Sequence, residues 1–166
     1  MQHSHETTPF TKRDFPIVIL CDGVTGPANI GSLFRISEAF GVSEIIFGNA
    51  KIDFESSRLK RTARDTHLKV PYSVSEDLVE TTKHLREGGY FITALEITEN
   101  SITIESFVWN REEKIALIVG NEANGISEDI LETADKVLHI ELFGENSSIN
   151  VAHATAIALY QLTGMK

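Results

Sequence analysis

The chain has 166 residues, 42% of them hydrophobic, and a formal net charge of −9 at pH 7. This length suits one domain with a single hydrophobic core, and no stretch of the sequence is apolar for long enough to span a membrane. The single cysteine, Cys21, excludes an internal disulfide, and neither a signal-peptide core nor a metal-ligand spacing is found, so we expect a cytoplasmic protein without a metal.

The chain begins with a polar segment and then changes to an apolar strand. Residues 1–14 have no hydrophobic periodicity and are predicted to form a tail. Residues 15–20 read FPIVIL, an unbroken apolar run typical of a strand buried on both faces of a parallel sheet. After a glycine-containing loop, residues 29–40 are predicted to form a helix. Arg35 lies about 200° around this helix from the apolar stripe at Leu33, so it is predicted to face outward.

The remainder of the chain alternates between apolar strands and helices. Four further strands are predicted at residues 44–48, 90–95, 114–119 and 137–142. Further helices are predicted at residues 75–87, with Ser75 as the cap, at 127–133 and from about residue 148. Residues 54–64 are predicted to be either a short helix or an irregular basic segment. Residues 69–74 form a short extended piece, and residues 102–107 are ambiguous. The alternation predicts a single α/β domain over residues 15–166, built on a parallel sheet flanked by helices.

The negative charge is distributed unevenly. Between Lys51 and Lys69, six Lys or Arg residues stand against three acidic residues, so this segment is positive while the rest of the chain is strongly negative. Most such runs are solvated helix surfaces, but local positive potential on an acidic protein also points to phosphate binding.

Three segments place small and polar residues where an apolar strand gives way to a helix. Ser147, Ser148 and Asn150 all suit an N-cap, and a helix start offers free backbone N–H groups. Taken alone, this last segment is explained by an ordinary capped helix. Open α/β sheets bind ligands at the carboxyl ends of their strands, so the three junctions together predict one shared site. The segments are residues 29–35, 119–125 and 147–150.

Several common catalytic and nucleotide-binding motifs are absent from the sequence. It contains neither a G-x-G-x-x-G dinucleotide fingerprint nor a G-x-x-x-x-G-K-[ST] phosphate loop. No G-x-S-x-G elbow surrounds a serine, and His139 and His153 are predicted to be structural rather than members of a catalytic triad. The residue patterns alone therefore predict an α/β domain with a polar site at its strand ends, and a small-molecule-binding protein remains open.

The three junctions resemble the motifs of the SpoU-type (TrmH-like) branch of the SPOUT superfamily of RNA methyltransferases. The first motif, N-x-G-x-x-x-R, is similar to residues 29–35, and the second, G-x-E-x-x-G, is similar to residues 120–125. The third, a strand end followed by S-[LI]-N-V, resembles residues 140–142 and 148–151. All three occur in the family's order.

Two positions depart from the family pattern. Glu141 stands where the family usually has proline, which predicts a carboxylate near the cofactor pocket. Residues 61–65 resemble a basic loop of the family but lack its glycine. The sequence shows no separate RNA-binding domain, so recognition is expected to rest on the catalytic domain and a partner subunit.

The resemblance implies an S-adenosylmethionine-dependent enzyme that methylates the 2′-hydroxyl of a ribose in tRNA or rRNA. It also implies a C-terminal trefoil knot, an exception to the usual unknotted topology. The cofactor-binding residues that it implies are Leu95, Gly120, Ile140 and Ile149. The catalytic residues that it implies are Arg35, Asn29, Glu122, Ser148 and Asn150. The candidate RNA-binding residues are Arg58, Lys60, Arg61 and Arg64.

Roles for some of these residues follow from their chemistry. A guanidinium keeps its proton at ordinary pH, so Arg35 is expected to clamp a substrate phosphate rather than to act as a base. Gly120 is expected to let backbone approach a ligand closely. A homodimer is expected, with the alanines of the last helix letting another helix approach: Ala152, Ala154, Ala156 and Ala158. The alternative is an RNA-binding protein of the same fold without catalytic activity.

Overall fold

The computed structural model describes residues 11–146 and 148–164, and within them seven strands form one fully parallel sheet. Their order across the sheet is β3-β2-β1-β6-β4-β7-β5. The strands are β1 (Phe15–Asp22), β2 (Val42–Gly48), β3 (Tyr72–Val74), β4 (Phe91–Leu95), β5 (Ile102–Thr103), β6 (Ile115–Gly120) and β7 (Lys136–His139). The helices are α1 (Pro27–Ala39), α2 (Ser57–Ala63), α3 (Leu78–Glu87), α4 (Glu128–Leu131) and α5 (Val151–Thr163). The predicted α/β class is confirmed.

Both faces of the sheet are buried, which explains the unbroken apolar runs of β1 and β6. Alternate residues of β1 enter different cores: Ile17 and Ile19 pack on the face covered by α1, α2 and α5. Val18 and Leu20 pack on the opposite face, which α3 and α4 cover. A strand buried on both sides has no polar face, so its sequence cannot alternate.

Several element boundaries differ from the predictions. The N-cap of α3 is Asp77, whose carboxylate accepts a hydrogen bond from the Glu80 N–H at 3.0 Å, so the assignment of Ser75 was wrong. Ser75 instead lies two residues before this cap, and its hydroxyl accepts a hydrogen bond from the Asp77 N–H at 3.1 Å. The strand predicted at residues 137–142 ends at His139. Ser147 lies outside the described residues, as do residues 1–10.

Two of the four alanines of α5 are buried, and the other two, Ala154 and Ala156, are half-buried. Ala152 and Ala158 are buried against the protein's own core. The exposed face of α5 instead carries His153, Ile157 and Tyr160, which recur at helical spacing. None of the helices in the described part of the chain is long and apolar enough to cross a membrane.

A buried carboxylate ties together the strand ends that carry the site. Asp22, the last residue of β1, is only 3% exposed and lies beside Gly120 in the strand register. It accepts hydrogen bonds from the Asn49 side chain at 2.7 Å and from the backbone N–H and hydroxyl of Ser127 at 2.8 and 2.7 Å. The loops after β1, β2 and β6 are thus fixed to one another at the same edge of the sheet.

Candidate functional site

A chain of hydrogen bonds brings the three predicted junctions together. The side-chain amide of Asn29, in the first turn of α1, donates to Oε1 of Glu122 in the loop after β6. The amide of Asn150, which caps α5, donates to Oδ1 of Asn29 at 2.9 Å. These three residues are far apart in the sequence, and each comes from a different junction. The expectation of one shared polar location at the strand ends agrees with this geometry.

The cap of α5 fixes the orientation of the Asn150 amide. Its Oδ1 accepts hydrogen bonds from the backbone N–H groups of Ala152 at 2.9 Å and His153 at 3.4 Å. Because the oxygen is used at the helix start, the amide nitrogen points toward Asn29. The N-terminal cap of α5 therefore has two effects: it satisfies free backbone N–H groups of the helix, and it orients a side chain of the site.

A first cavity of about 500 Å³ lies between the loops that follow β4, β6 and β7. Leu95, Ile140 and Ile149 provide apolar walls, while Glu122 and Asn121 provide polar groups. The structure thus brings together six of the predicted site residues in one cavity: Leu95, Gly120, Glu122, Ile140, Ser148 and Ile149. A volume of this size is ordinary for a cofactor or small-molecule site.

Gly120 is required by the protein's own backbone. A Cβ atom at this position would lie 2.6 Å from the Gly125 carbonyl oxygen and 2.5 Å from the Ile126 nitrogen. Residue 120 must therefore lack a side chain so that the loop can fold back beside it, whatever the cavity holds. The reason given from the sequence, close approach of a ligand, is not needed to explain this glycine.

Asn121 builds the loop that returns to Gly120, and sequence reasoning did not identify it. Its Oδ1 accepts hydrogen bonds from the backbone N–H groups of Ala123 and Asn124 at 2.8 and 3.2 Å. Its amide donates to the Gly23 carbonyl at 2.7 Å. Asparagine commonly forms such turns with the backbone just ahead of it, which was the one available signal.

The charged side chains around the first cavity are acidic. Glu96 and Glu122 both line it, and no Lys or Arg does so among the described residues. Oε2 of Glu96 accepts a hydrogen bond from the Ile126 N–H at 3.2 Å. Glu141 is exposed and does not itself line the cavity, whereas Ile140 and Leu142 on either side of it do.

Arg35 lies in a second cavity of about 440 Å³, between α1 and the start of α5. Asn29 and Asn150 line it too, together with Ser32 and His153. Arg35 is exposed, as predicted, and its side chain forms no ion pair or hydrogen bond with another described residue. Since Asn29 also binds Glu122 of the first cavity, the two cavities are neighbours that share a hydrogen-bonded wall.

His139 and His153 differ in their surroundings. His139 lines the first cavity, where its Nδ1 lies 2.9 Å from the Ser101 hydroxyl. His153 is exposed and lines the second cavity. No cluster of three or more potential metal ligands occurs among the described residues.

The predicted basic residues lie on and just after α2, which packs tightly on α1. Arg58, Arg61 and Arg64 are exposed, and none of them pairs with a described acidic residue. Lys60 forms an ion pair with Glu55 at 2.5 Å. Gly31 makes the packing possible, because a Cβ there would lie 2.6 Å from the Leu59 carbonyl oxygen.

Comparison with known proteins matches residues 16–160 to the SpoU rRNA Methylase family. A 23S rRNA (guanosine(2553)-2′-O)-methyltransferase, RlmP of Bacillus subtilis, is 33% identical over 149 residues, which are 89% of this chain and 58% of that protein. RlmB of Blochmanniella floridana, a 23S rRNA (guanosine-2′-O-)-methyltransferase, is 29% identical over 88% of this chain and 56% of its own length. The chain thus spans less than three fifths of the length of these two curated relatives.

Solved structures share the fold. The A. aeolicus TrmH/SpoU tRNA modifying enzyme superposes with a TM-score of 0.80 at 26% identity, covering 92% of this chain and 76% of that one. An AdoMet-bound rRNA methyltransferase from Sinorhizobium meliloti has a TM-score of 0.81 at 23% identity, covering 88% of this chain and 55% of that one. At that identity the second likeness concerns the fold alone.

Proposed function

The chain belongs to the SpoU rRNA Methylase family, and on that premise we propose that it is an S-adenosylmethionine-dependent RNA methyltransferase acting on the 2′-hydroxyl of a ribose in tRNA or rRNA. The observation that carries the proposal is the hydrogen-bond chain of Glu122, Asn29 and Asn150. It joins a cavity of cofactor size to a cavity that contains Arg35, whose side chain has no partner among the described residues.

The residues around the first cavity fit S-adenosylmethionine. Leu95, Ile140 and Ile149 offer apolar surface for a purine, and the charged side chains are the carboxylates of Glu96 and Glu122. Carboxylates without neighbouring cations favour a positively charged ligand, and the sulfonium group is positive. When bound, S-adenosylmethionine supplies an electrophilic methyl group. Loop 120–125 and residues 148–149 hold it in this proposal.

Arg35 acts on the RNA side of the site. Its guanidinium is exposed in the second cavity and has no partner among the described side chains, so it is free to bind an incoming phosphate through two parallel hydrogen bonds. Such a clamp aligns the ribose with the first cavity, and alignment is the largest requirement of an in-line methyl transfer. Because arginine keeps its proton, the proton of the 2′-hydroxyl passes to solvent water at this exposed site rather than to Arg35.

Asn29, Glu122 and Asn150 have orienting roles. The Asn29 amide donates to Glu122 and accepts from Asn150, so each of these side chains has its position fixed by another. Glu122 is thereby kept at the boundary between the two cavities. Ser148 lines the first cavity just before the start of α5 and contributes a hydroxyl to the same wall.

The RNA backbone binds along α2 in this proposal. Arg58, Arg61 and Arg64 expose three guanidinium groups on an otherwise acidic protein, and Lys60 adds a fourth positive charge beside its Glu55 partner. Phosphate contacts of this kind fix register on a nucleic acid and carry little sequence information. The particular nucleotide is then selected by contacts nearer to Arg35.

We propose that residues 15–166 are the methyltransferase domain and that it works in the cytoplasm. We further propose that the C-terminal part is knotted as in the family and that the protein is a homodimer. Support for a dimer comes from α5, whose Ile157 and Tyr160 side chains are 41% and 71% exposed. Sedimentation that shows only an 18.4 kDa species at micromolar concentration contradicts the dimer.

The central experiment supplies the protein with S-adenosylmethionine labelled in its methyl group, together with purified tRNA and rRNA. Label in the RNA, at a ribose that resists alkaline cleavage, is the expected result. An RNA-binding protein of this fold without activity would bind both ligands and transfer no label. A small-molecule-binding protein would bind neither RNA.

A further inference from the structure

The loop after β4 places one carboxylate in the first cavity that no motif of the sequence identified. Glu96 follows the last residue of β4, and its backbone N–H donates to the Leu138 carbonyl at 2.9 Å, which fixes the loop to β7. Its side chain is half-buried and lines the cavity. The position of Glu96 is thus set by backbone contacts on two neighbouring strands, β4 and β7.

Two backbone N–H groups hold the carboxylate of Glu96. Oε1 accepts a hydrogen bond from Ile97 at 2.9 Å, and Oε2 accepts one from Ile126 at 3.2 Å. Gly125 allows this contact, because a Cβ there would lie 2.5 Å from Oε2. A carboxylate has about four acceptor positions, so about two remain for groups in the cavity.

The two carboxylates of the first cavity are held at different places. Glu122 is bound by Asn29 at the boundary with the second cavity, where the reacting ribose of the RNA is proposed to lie. Glu96 is bound at the other end of the same loop, by Ile126. Glu96 is adjacent in the chain to Leu95, one of the proposed cofactor-binding residues, and both line the first cavity.

From this placement we propose that Glu96 accepts hydrogen bonds from the two ribose hydroxyls of the bound adenosine group. The inference rests on the proposed function, since it concerns the same cavity. Two backbone N–H groups occupy about two of its acceptor positions, and a pair of neighbouring hydroxyls fills about the two that remain. A carboxylate placed after a strand reads ribose hydroxyls in the same way in other open α/β sheets.

The test measures binding of 5′-methylthioadenosine and of its 2′,3′-dideoxy counterpart by calorimetry, so it does not depend on catalysis. Both ligands carry the adenine, and neither carries the amino-acid part. For the wild-type protein, loss of the hydroxyls is expected to weaken binding about 10- to 100-fold, because hydrogen bonds to a charged acceptor are lost. For Glu96→Ala, the two ligands are expected to bind with equal affinity. Thermal unfolding of each variant verifies the fold.

Each remaining outcome has a definite meaning. A penalty for the missing hydroxyls that persists in Glu96→Ala overturns the inference, since two groups in contact must show coupling. If Glu96→Ala weakens S-adenosylmethionine but leaves 5′-methylthioadenosine unchanged, Glu96 binds the amino-acid end and the inference is wrong. If the wild-type protein binds neither S-adenosylmethionine nor 5′-methylthioadenosine, the proposed function fails as well.

Two further variants guard against an effect of the substitution on the loop. Glu96→Gln keeps the size of the side chain and one acceptor for a backbone N–H, and it is expected to lose most of the discrimination between the two ligands. Glu87→Ala removes an exposed glutamate at the end of α3, outside the cavity, and is expected to discriminate as the wild-type protein does. Full discrimination in Glu96→Gln contradicts the assignment.

Discussion

Asn29 and Glu122 are 93 positions apart in the sequence, and the amide of the first donates a hydrogen bond to the carboxylate of the second. Asn29 accepts a hydrogen bond from Asn150 at the same time. One amide side chain therefore sets the positions of two others. In a site that must align an RNA ribose with a methyl donor, small displacements of such groups have large effects on rate.

Replacing Asn29 should reduce turnover much more than stability. In Asn29→Ala, Glu122 and Asn150 lose their shared partner, and we expect methyl transfer to fall by about 100-fold, as for a misplaced catalytic geometry. Asn29 is only half-buried, so the free energy of unfolding should change by about 1 kcal/mol, the scale of one ordinary hydrogen bond. Methylation assays and urea unfolding measure the two effects. Asn100→Ala, in an exposed turn after β4, is the matched control.

Arg35 should matter for transfer and little for cofactor binding or folding. It is exposed, so Arg35→Ala should change the free energy of unfolding by at most about 0.5 kcal/mol. S-adenosylmethionine should bind normally by calorimetry while RNA methylation is lost, because the phosphate clamp is gone. Arg111→Ala, an arginine in the turn before β6, should retain activity.

The lysine variant separates two roles of Arg35. An ammonium cannot form the paired hydrogen bonds of a guanidinium, so Arg35→Lys should recover little activity at any pH. Appreciable activity that increases with pH would instead indicate a deprotonated side chain acting as a base, and the phosphate clamp would then be wrong.

Gly31 should be essential for the contact between α1 and α2. In Gly31→Ala the new methyl group meets the Leu59 carbonyl oxygen at 2.6 Å and the Ala63 nitrogen at 3.0 Å, both backbone atoms. We expect a loss of about 1–3 kcal/mol in the free energy of unfolding, the usual effect of overpacking. Gly144→Ala is the control, since a Cβ there has no neighbour within 4 Å. Equal stability of the two variants contradicts the tight contact.

The single cysteine should be unreactive in the folded protein. Burial raises the pKa of the Cys21 thiol, and the nearby negative charge of Glu122 raises it further. The thiolate, which is the reactive form, is therefore absent at pH 8, and an alkylating reagent should label Cys21 only after unfolding in urea. Rapid labelling of the native protein would contradict the burial of this side chain.

The same raised pKa makes stability depend on pH. Below the ordinary thiol pKa of about 8.5, both states keep the proton and Cys21 has no effect. As pH rises above that value, only the unfolded state loses the proton, so the free energy of unfolding falls. Urea unfolding at pH 7 and pH 9.5 should show this decrease, and Cys21→Ala should reduce it.

The fold and the meeting of the three junctions could be predicted because both follow from local patterns. Apolar runs such as residues 15–20 identify buried parallel strands, and parallel strands bring their carboxyl ends to one edge. Glu96 and Asn121 could not be found in this way. Their roles depend on backbone groups far along the chain: Ile126 for Glu96 and Gly23 for Asn121.

For the glycines, the sequence identifies the position but not the contact that requires it. Gly31 and Gly120 were expected at their positions from the motifs, but the backbone contact that requires Gly120 was not predicted. Its neighbour is the backbone at residues 125–126, which returns to it only after the loop has closed. A pattern identifies a position that tolerates no side chain, whereas the three-dimensional structure identifies the atoms that exclude it.

The close contact at Gly31 has a consequence for the choice of RNA. It joins the helix that carries Arg35 to the helix that carries Arg58 and Arg61, with backbone against backbone. The two helices are at their closest packing and neither can shift toward the other, so we expect the backbones that carry Arg35 and the anchoring arginines to keep a set separation. Under the proposed function, the protein then selects its substrate by distance along the RNA. It accepts a ribose only at a set distance from the phosphates that α2 binds, and the identity of the bases between them does not matter.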